Sequence, residues 1–173
     1  MGMRKRLAPF AALLSLIAGV LSCTNIDCPL DNVVAMTCGL YNAEDGRPAS
    51  LDDTLTVRAG GVKDTILLNK AQHLSSFQLP VRHGVDEDTL LFRFSDEQGR
   101  FAVDSVLVKH NDRPHFESVD CPAALFHTLL AVRWTSHRLA EMPLTIDSVA
   151  IVRRDVNYED IENIQVYIRS TAK

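Results

Sequence analysis

Short apolar runs alternate with polar turn residues along most of the chain after residue 30. The runs are rich in β-branched and aromatic residues, and they cover 55–57, 66–68, 90–94, 103–108, 129–134, 146–152 and 164–168. No apolar stripe of helical period continues for three turns. Short runs bounded by turn residues are typical of β-strands. The pattern therefore predicts a body of strands, with turns at 45–46, 60–61, 83–84, 98–99 and 111–112.

An aspartate followed by Thr or Ser and then an aliphatic residue recurs, at 53–55, 64–66, 88–90, 104–106 and 147–149. Aspartate favours a turn because its side chain can bond the backbone two residues on. The two residues after it favour a pleated sheet. We therefore interpret each aspartate as the end of a turn and the next residues as the start of a strand. The irregular spacing argues against a solenoid or a propeller.

Strands every 10–15 residues and no long helix predict an all-β fold. A β-sandwich fits this spacing, with an immunoglobulin-like topology as one form of it. One short helix is expected near 121–127, where Asp120 would cap it and Pro122 would lie near its first position. We expect a single domain over residues 31–170, long enough to build a core. The alternative is two β-subdomains divided near 111–113.

The N-terminal segment predicts export and lipidation. Three cations at 4–6 precede an apolar stretch of 15 residues, Leu7 to Leu21, which is short for a membrane-spanning helix and suits a signal peptide. The sequence Val20-Leu21-Ser22-Cys23 follows and resembles a lipobox, at which a bacterial lipoprotein is lipidated on Cys and then cleaved before it. We predict a signal peptide over 1–22, lipidation of Cys23, and a tether over 23–30. Several acyl chains on one N-terminus would anchor the protein stably.

The charge of the chain argues against nucleic-acid binding. Removing 1–22, which holds three cations and no acid, changes the formal net charge from −4 to −7. A mildly acidic domain lacks the basic surface that nucleic acid requires. No basic amphipathic helix is visible, so membrane contact is expected from the lipid anchor alone.

Four cysteines are present, at 23, 28, 38 and 121. If lipid uses Cys23, three remain in an oxidising compartment. Cys28 and Cys121 lie in matching contexts, each after Asp and before Pro, and we predict a disulfide between them. Such a loop of about 90 residues would contribute about 4–5 kcal/mol in the chain-entropy model. Cys38 lies in an apolar run and is expected as a buried free thiol; the alternative is Cys28–Cys38 with Cys121 free.

Several segments together resemble a family of Bacteroidales lipoproteins known only as a domain of unknown function. The segments are 28–30, 67–70, 75–80, 87–90, 114–121, 126–128 and 156–158, and the most specific is Pro114-His115-Phe116-Glu117-Ser118-Val119-Asp120-Cys121. Cys38 and the segment 165–167 depart from the family pattern. The resemblance implies an envelope address, the Cys pair and a β-rich architecture. It implies no activity.

Metal ligands are scattered along the sequence. His115 with Glu117 and Asp120 is the nearest cluster to a zinc site, which needs three or four converging ligands. The acidic clusters at 86–88 and at 159–162 lack the ligand spacing of a calcium loop. We therefore expect no metal and no cofactor, and we interpret these residues as polar edges and solvated turns.

Catalytic patterns are equally weak. The chain has no Gly-x-Ser-x-Gly elbow. Cys121 with His127 or His115 could form a thiol hydrolase, but a disulfide at Cys121 would abolish it. Trp134 and Tyr167 are expected in the core or at an edge, because an aromatic content of 6% makes a large sugar-binding platform improbable. No catalytic residue is predicted.

The sequence thus predicts a non-catalytic envelope lipoprotein that works by contact. Its expected partners are the membrane, through the anchor, and another envelope protein or a glycan, with strand addition to a sheet edge as one way to bind. The expected location is the outer membrane, on the periplasmic side. The alternatives are a calcium- or zinc-dependent binding module and a hydrolase that uses a thiol or carboxylates.

Overall fold

A computed structural model describes residues 33–61, 65–119, 121–138 and 142–170. The signal segment 1–22, the lipidation site Cys23, the tether 23–30 and Cys28 lie outside these ranges. What was predicted for them stays a prediction.

Ten strands account for the regular structure of the described residues. Their bounds are β1 Met36–Asn42, β2 Thr54–Ala59, β3 Thr65–Ala71, β4 Ser76–Leu79, β5 Glu87–Ser95, β6 Phe101–His115, β7 Ala124–Trp134, β8 Leu144–Ile151, β9 Asp155–Val156 and β10 Glu162–Ser170. The described ranges contain no helix, and so none that could span a membrane. All seven apolar runs lie in strands, apart from Val152, which follows β8 directly.

The strands form two sheets packed face to face, so the predicted β-sandwich is confirmed. The four-stranded sheet has the order β4-β1-β10-β8, and the six-stranded sheet has the order β3-β2-β5-β6-β7-β9. The first and last strands, β1 and β10, run parallel, with Cys38 opposite Ile164. The other pairings are antiparallel. Parallel pairing between chain ends requires a long connection, which the eight strands between β1 and β10 supply.

The core lies between the sheets because alternate residues of each strand point inward. In β5 the buried positions are Asp88, Leu90, Phe92 and Phe94. The four-stranded sheet contributes apolar side chains from β1, β8 and β10 to the same core. Full burial of one large aliphatic or aromatic side chain contributes about 1.5–3 kcal/mol. The alternation of apolar and polar residues in the sequence thus corresponds to alternate residues that point into the core and toward solvent.

The helix predicted near 121–127 is wrong. Residues from Ala124 onward belong to β7, where Ala124 lies opposite His115 and Phe126 opposite Arg113. The extension of β6 to His115 supplies a complete antiparallel partner for this segment. Backbone pairing with the preceding strand β6 therefore outweighs the local capping signal of Asp120 and Pro122, since propensity is a weak prior.

The turn predicted at Asn111-Asp112 is also wrong. Strand β6 runs through this point, with Asn111 opposite Thr128 and Asp112 opposite His127. The alternative boundary near 111–113 thus falls inside a continuous strand of 15 residues. Polar residues are tolerated here because this part of β6 is largely exposed.

Candidate functional site

Four ionisable side chains are buried on the inner face of the six-stranded sheet. Asp88 on β5, Asp104 and His110 on β6, and His127 on β7 are exposed by 4%, 0%, 0% and 3% respectively. Buried charged or polar groups are costly unless they are paired, so their partners show what each one does. They fall into two separate clusters, one around the two histidines and one around Asp104.

The histidine cluster consists of His110, Asp112 and His127, which the strand register brings together. Asp112 lies directly opposite His127, and His110 lies two residues before Asp112, so all three side chains share the inner face. His127 Nδ1 lies 2.9 Å from Asp112 Oδ1, and His110 Nδ1 lies 3.7 Å from the same oxygen. The two imidazole rings meet edge to face with centroids 5.3 Å apart.

The connection between β4 and β5 closes this cluster. Arg82 donates from its backbone N–H and from Nε to the two carboxylate oxygens of Asp88. The Gly84 N–H donates to Asp112 Oδ2 at 2.7 Å. Gly84 has a φ of 73°, a left-handed conformation that glycine adopts without steric cost. The loop thus holds both carboxylates of the cluster from one side.

His110 is the exceptional residue of the cluster. It is fully buried, and neither ring nitrogen has a hydrogen-bond partner. Its Nε2 lies 3.3 Å from Asp88 Oδ2, within ion-pair distance but without the alignment of a hydrogen bond. Buried polar groups in native proteins are almost always satisfied, so a fully buried imidazole in this state requires an explanation.

The electrostatics of the cluster favour an ionised Asp112 and a neutral His127. Burial alone would raise the pKa of Asp112, but hydrogen bonds from the Gly84 N–H and from His127 lower that pKa below its usual value. Burial lowers the pKa of His127, and the Asp112 carboxylate offsets this only in part. At neutral pH the cluster therefore presents a carboxylate beside an uncharged imidazole.

Among the described residues, His110, Asp112 and His127 also form a group able to hold a metal ion. One ligand atom from each lies within 4.8 Å of the other two. Two imidazole nitrogens and one carboxylate oxygen are a donor set used for zinc and other divalent transition metals.

The second buried cluster ties the two sheets together. Asp104 accepts hydrogen bonds from the N–H of His137, from His137 Nδ1, from the Thr145 hydroxyl and from the N–H of Ile146. The other ring nitrogen of His137 lies 3.2 Å from the carbonyl of Met142. Each ring nitrogen of His137 thus faces an oxygen that accepts hydrogen bonds. This cluster is a structural junction between β6 and the edge strand β8.

The solvent side of the six-stranded sheet carries an apolar surface. We call Ile66, Leu91, Phe101 and Val103 the outer apolar face. Ile66, Phe101 and Val103 are 53%, 54% and 45% exposed. Strand register places Val103 opposite Arg93, whose guanidinium lies over the Phe101 ring at 4.1 Å from its centroid. No described carboxylate forms an ion pair with Arg93.

A groove of about 490 Å³ opens at the end of the sandwich away from the histidine cluster. It is lined by apolar groups such as Leu51 and Ile168 and by the acids Glu44, Asp52 and Asp53. Burial and the neighbouring carboxylates of Asp96 and Asp52 raise the pKa of Asp53. Among the described residues that line this groove, none is basic.

The structure gives other partners to most of the candidate ligand groups named from the sequence. The ring of His115 stacks on Phe126 with centroids 4.3 Å apart, while Asp120 lies outside the described residues. In the 86–88 cluster Glu87 faces Arg133 and Asp88 faces inward to Arg82. In the 159–162 cluster the three carboxylates bond different partners, namely Arg153 for Glu159, Thr37 for Asp160 and Tyr41 for Glu162. Neither acidic cluster converges on one point.

The cysteines and aromatic residues can be placed in part. Cys38 is free and buried, which excludes the alternative pairing of Cys28 with Cys38. Cys121 is disulfide-bonded, and its partner is not among the described residues, so Cys28–Cys121 stays a prediction. Trp134, in the six-stranded sheet, donates from Nε1 to the Asp147 carbonyl. Tyr167 packs against Tyr41, and both belong to the four-stranded sheet. The two aromatic residues thus form no common platform.

The histidine cluster was not predicted from the sequence. The spacing of His110 and Asp112 indicates one strand face, but the predicted turn at 111–112 hid it. His127 was assigned to a helix, so its position opposite Asp112 was not visible. Extending the predicted strand 103–108 to His115 would have placed His110 and Asp112 on one strand.

Comparison with known proteins yields one match. Residues 54–168 match a family described as "Family of unknown function (DUF6452)". No curated protein and no solved structure matches the chain. The matched segment begins at β2 and includes both buried clusters and the outer apolar face.

Proposed function

The chain belongs to DUF6452, a family of unknown function, and from this premise we propose that it is a lipid-anchored, non-catalytic binding module of the bacterial cell envelope. Its partner in this proposal is another envelope protein, bound through the outer apolar face. The resemblance to Bacteroidales lipoproteins and the lipobox at Val20-Leu21-Ser22-Cys23 support the anchor and the outer-membrane address.

The outer apolar face is the observation that supports this function. Leu91 on β5 is opposite Ser105 and diagonal to Val103 on β6. Ile66 on β3 lies further along the same sheet, with Arg58 on β2 between it and Leu91. Isolated exposed apolar residues are ordinary, but clustered ones mark interaction surfaces. Strand β3 is also an edge strand, whose outer backbone groups could pair with an added strand.

The chemistry of the face favours a protein over a glycan. A glycan site usually stacks several aromatic rings, whereas Phe101 is the aromatic member of this face. Its ring is already covered in part by Arg93. We infer a partner that presents an apolar centre and a carboxylate facing Arg93, because a desolvated Arg–carboxylate pair adds specificity to apolar contact.

The predicted lipid anchor explains how a small apolar surface can be enough to bind a partner. A tether over 23–30 would hold the domain close to one membrane, so that its encounter with a membrane-bound partner occurs at high effective concentration. Weak contact through a few exposed side chains can then be specific. We place this encounter on the periplasmic side of the outer membrane.

Site-specific photo-crosslinking in intact cells tests the proposal. A photoreactive residue at Val103 is expected to give one discrete protein adduct, and the Arg93→Glu change is expected to reduce its yield at least fivefold. The matched control is the same residue at Val152, which is 50% exposed but adjoins the four-stranded sheet. Equal adducts from both positions, or none from Val103, would rule out binding through this face.

The anchor has its own test. Mass spectrometry of the mature protein is expected to show cleavage after Ser22 and acyl chains on Cys23. An unmodified N-terminus or an intact leader would contradict the lipid anchor but leave the crosslinking result standing.

A further inference from the structure

We propose that His110, Asp112 and His127 bind a divalent transition-metal ion, with Zn²⁺ as the ion that fits these donors best. This site is distinct from the outer apolar face, because it lies on the inner side of the six-stranded sheet. It does not depend on the function proposed above.

The spacing of the donor atoms suits a tetrahedral ion. Zn–N and Zn–O distances of about 2.0–2.1 Å place neighbouring ligand atoms about 3.3 Å apart. Asp112 Oδ1 lies 2.9 Å from His127 Nδ1 and 3.7 Å from His110 Nδ1, on either side of this value. Both distances lie within about 0.4 Å of this value. All three ligand atoms lie within 4.8 Å of one another, so an ion can enter once the side chains adjust around it. In this step the His127 proton moves from Nδ1 to Nε2, and Nδ1 becomes a ligand.

Metal binding accounts for the unsatisfied ring of His110. Its Nδ1 would coordinate the ion, and its Nε2 lies 3.3 Å from the Asp88 carboxylate. Metal-bound histidines ordinarily face a carboxylate or a carbonyl on the far nitrogen, which orients the ring. Arg82 fixes Asp88 in turn. A purely structural hydrogen-bond network explains the Asp112–His127 contact but leaves both nitrogens of His110 without a hydrogen-bond partner.

The charges around the site also suit a divalent cation. Asp88 is compensated by Arg82, so the Asp112 carboxylate is the anionic ligand left for the ion. Nitrogen ligands disfavour calcium, which prefers oxygen alone.

The site is accessible from solvent at one ligand and has an open coordination position. The Asp112 side chain is 26% exposed, whereas the side chains of His110 and His127 are 0% and 3% exposed. An ion can approach at Asp112 and then contact the two buried rings. Three protein ligands leave a fourth position for water or for a donor from a partner molecule.

Metal titration of the full chain, purified with its native N-terminus and without a histidine tag, tests this site. Calorimetry with Zn²⁺ after chelator treatment is expected to show one saturable site per chain. Asp112→Asn and His127→Gln are each expected to weaken Zn²⁺ affinity at least tenfold. Co²⁺ in place of Zn²⁺ is expected to give the visible absorption of a tetrahedral nitrogen–oxygen site, lost in Asp112→Asn.

His83→Gln is the matched control, because His83 is an exposed histidine one residue before Gly84. It is expected to bind Zn²⁺ like the unchanged chain. Asp112 lies at the rim, so its variant is expected to fold even if the variant of buried His127 does not; circular dichroism checks this. Absence of saturable Zn²⁺ binding, or undiminished binding by folded Asp112→Asn, would overturn the proposal.

Discussion

Asp104 offers the sharpest test of how the sandwich is held together. It is 0% exposed, and four hydrogen bonds converge on its two oxygens. Oδ1 accepts from the backbone and ring of His137, while Oδ2 accepts from the Thr145 hydroxyl and the Ile146 N–H. Because Thr145 and Ile146 belong to β8, this one carboxylate on β6 joins the two sheets.

The cost of losing this carboxylate follows from its partners. Asp104→Ala leaves two backbone N–H groups, a hydroxyl and an imidazole without an acceptor. Removing one partner of a buried, hydrogen-bonded pair costs about 3–5 kcal/mol, a large part of the 5–15 kcal/mol that stabilises a typical domain. Asp104→Asn has nearly the same shape but turns an N–H toward one of the two donor pairs. We expect it to cost about 2–4 kcal/mol.

Denaturant unfolding, followed by tryptophan fluorescence, measures these losses. The chain has a single tryptophan, Trp134, and it bonds the Asp147 carbonyl beside this junction. Asp147→Asn is the matched control, because its carboxylate is 36% exposed and pairs with Arg169 at 3.3 Å. Exposed pairs contribute about 0–1 kcal/mol. If both Asp104 variants lost no more stability than Asp147→Asn, the interpretation of Asp104 as a junction would be refuted.

Three further predictions follow from other buried groups. Burial holds the pKa of His127 below its ordinary 6.5, so the unfolded chain binds a proton at this histidine more readily than the folded chain does. The free energy of unfolding should therefore fall from pH 7 to pH 5, and it should fall less in His127→Gln. An unchanged pH slope in that variant would contradict the assignment. Burial raises the pKa of Cys38, so alkylating reagents should label this thiol only after unfolding, and rapid labelling of the native protein would show that it is accessible. Gly39→Ala should lower stability by about 1–3 kcal/mol in the same denaturant assay, because its Cβ would lie 2.8 Å from the Tyr41 ring and would displace the Glu162 carboxylate; an unchanged midpoint would show that the two side chains move aside freely.

The strand positions could be predicted where the signal is local. In 90–94 and 103–108 every second residue is apolar or buried, and this alternation is a property of the segment itself. The prediction failed at 121–127, where a proline and a capping aspartate imitate a helix start. It missed β1 as well, since that run is apolar on both faces and has no alternation to detect.

The meaning of the recurring aspartates depended on position in the fold. Asp53 does precede a strand, β2, while Asp64 lies outside the described residues. Asp88 and Asp104 instead lie inside strands with their carboxylates buried. The same three-residue pattern thus marks a turn in one place and an internal polar contact in another, because the donors that satisfy a buried carboxylate come from distant segments.

The sequence alone determined the all-β architecture, because alternation with period two depends only on residues that are close in sequence. The pairing of β1 with β10, and the meeting of His110 with His127, were decided by the folded chain. These contacts join residues distant in sequence, and their stability comes from packing and register between strands, which no local pattern encodes. The candidate metal site is therefore a product of the tertiary structure, although each of its ligands is visible in the sequence.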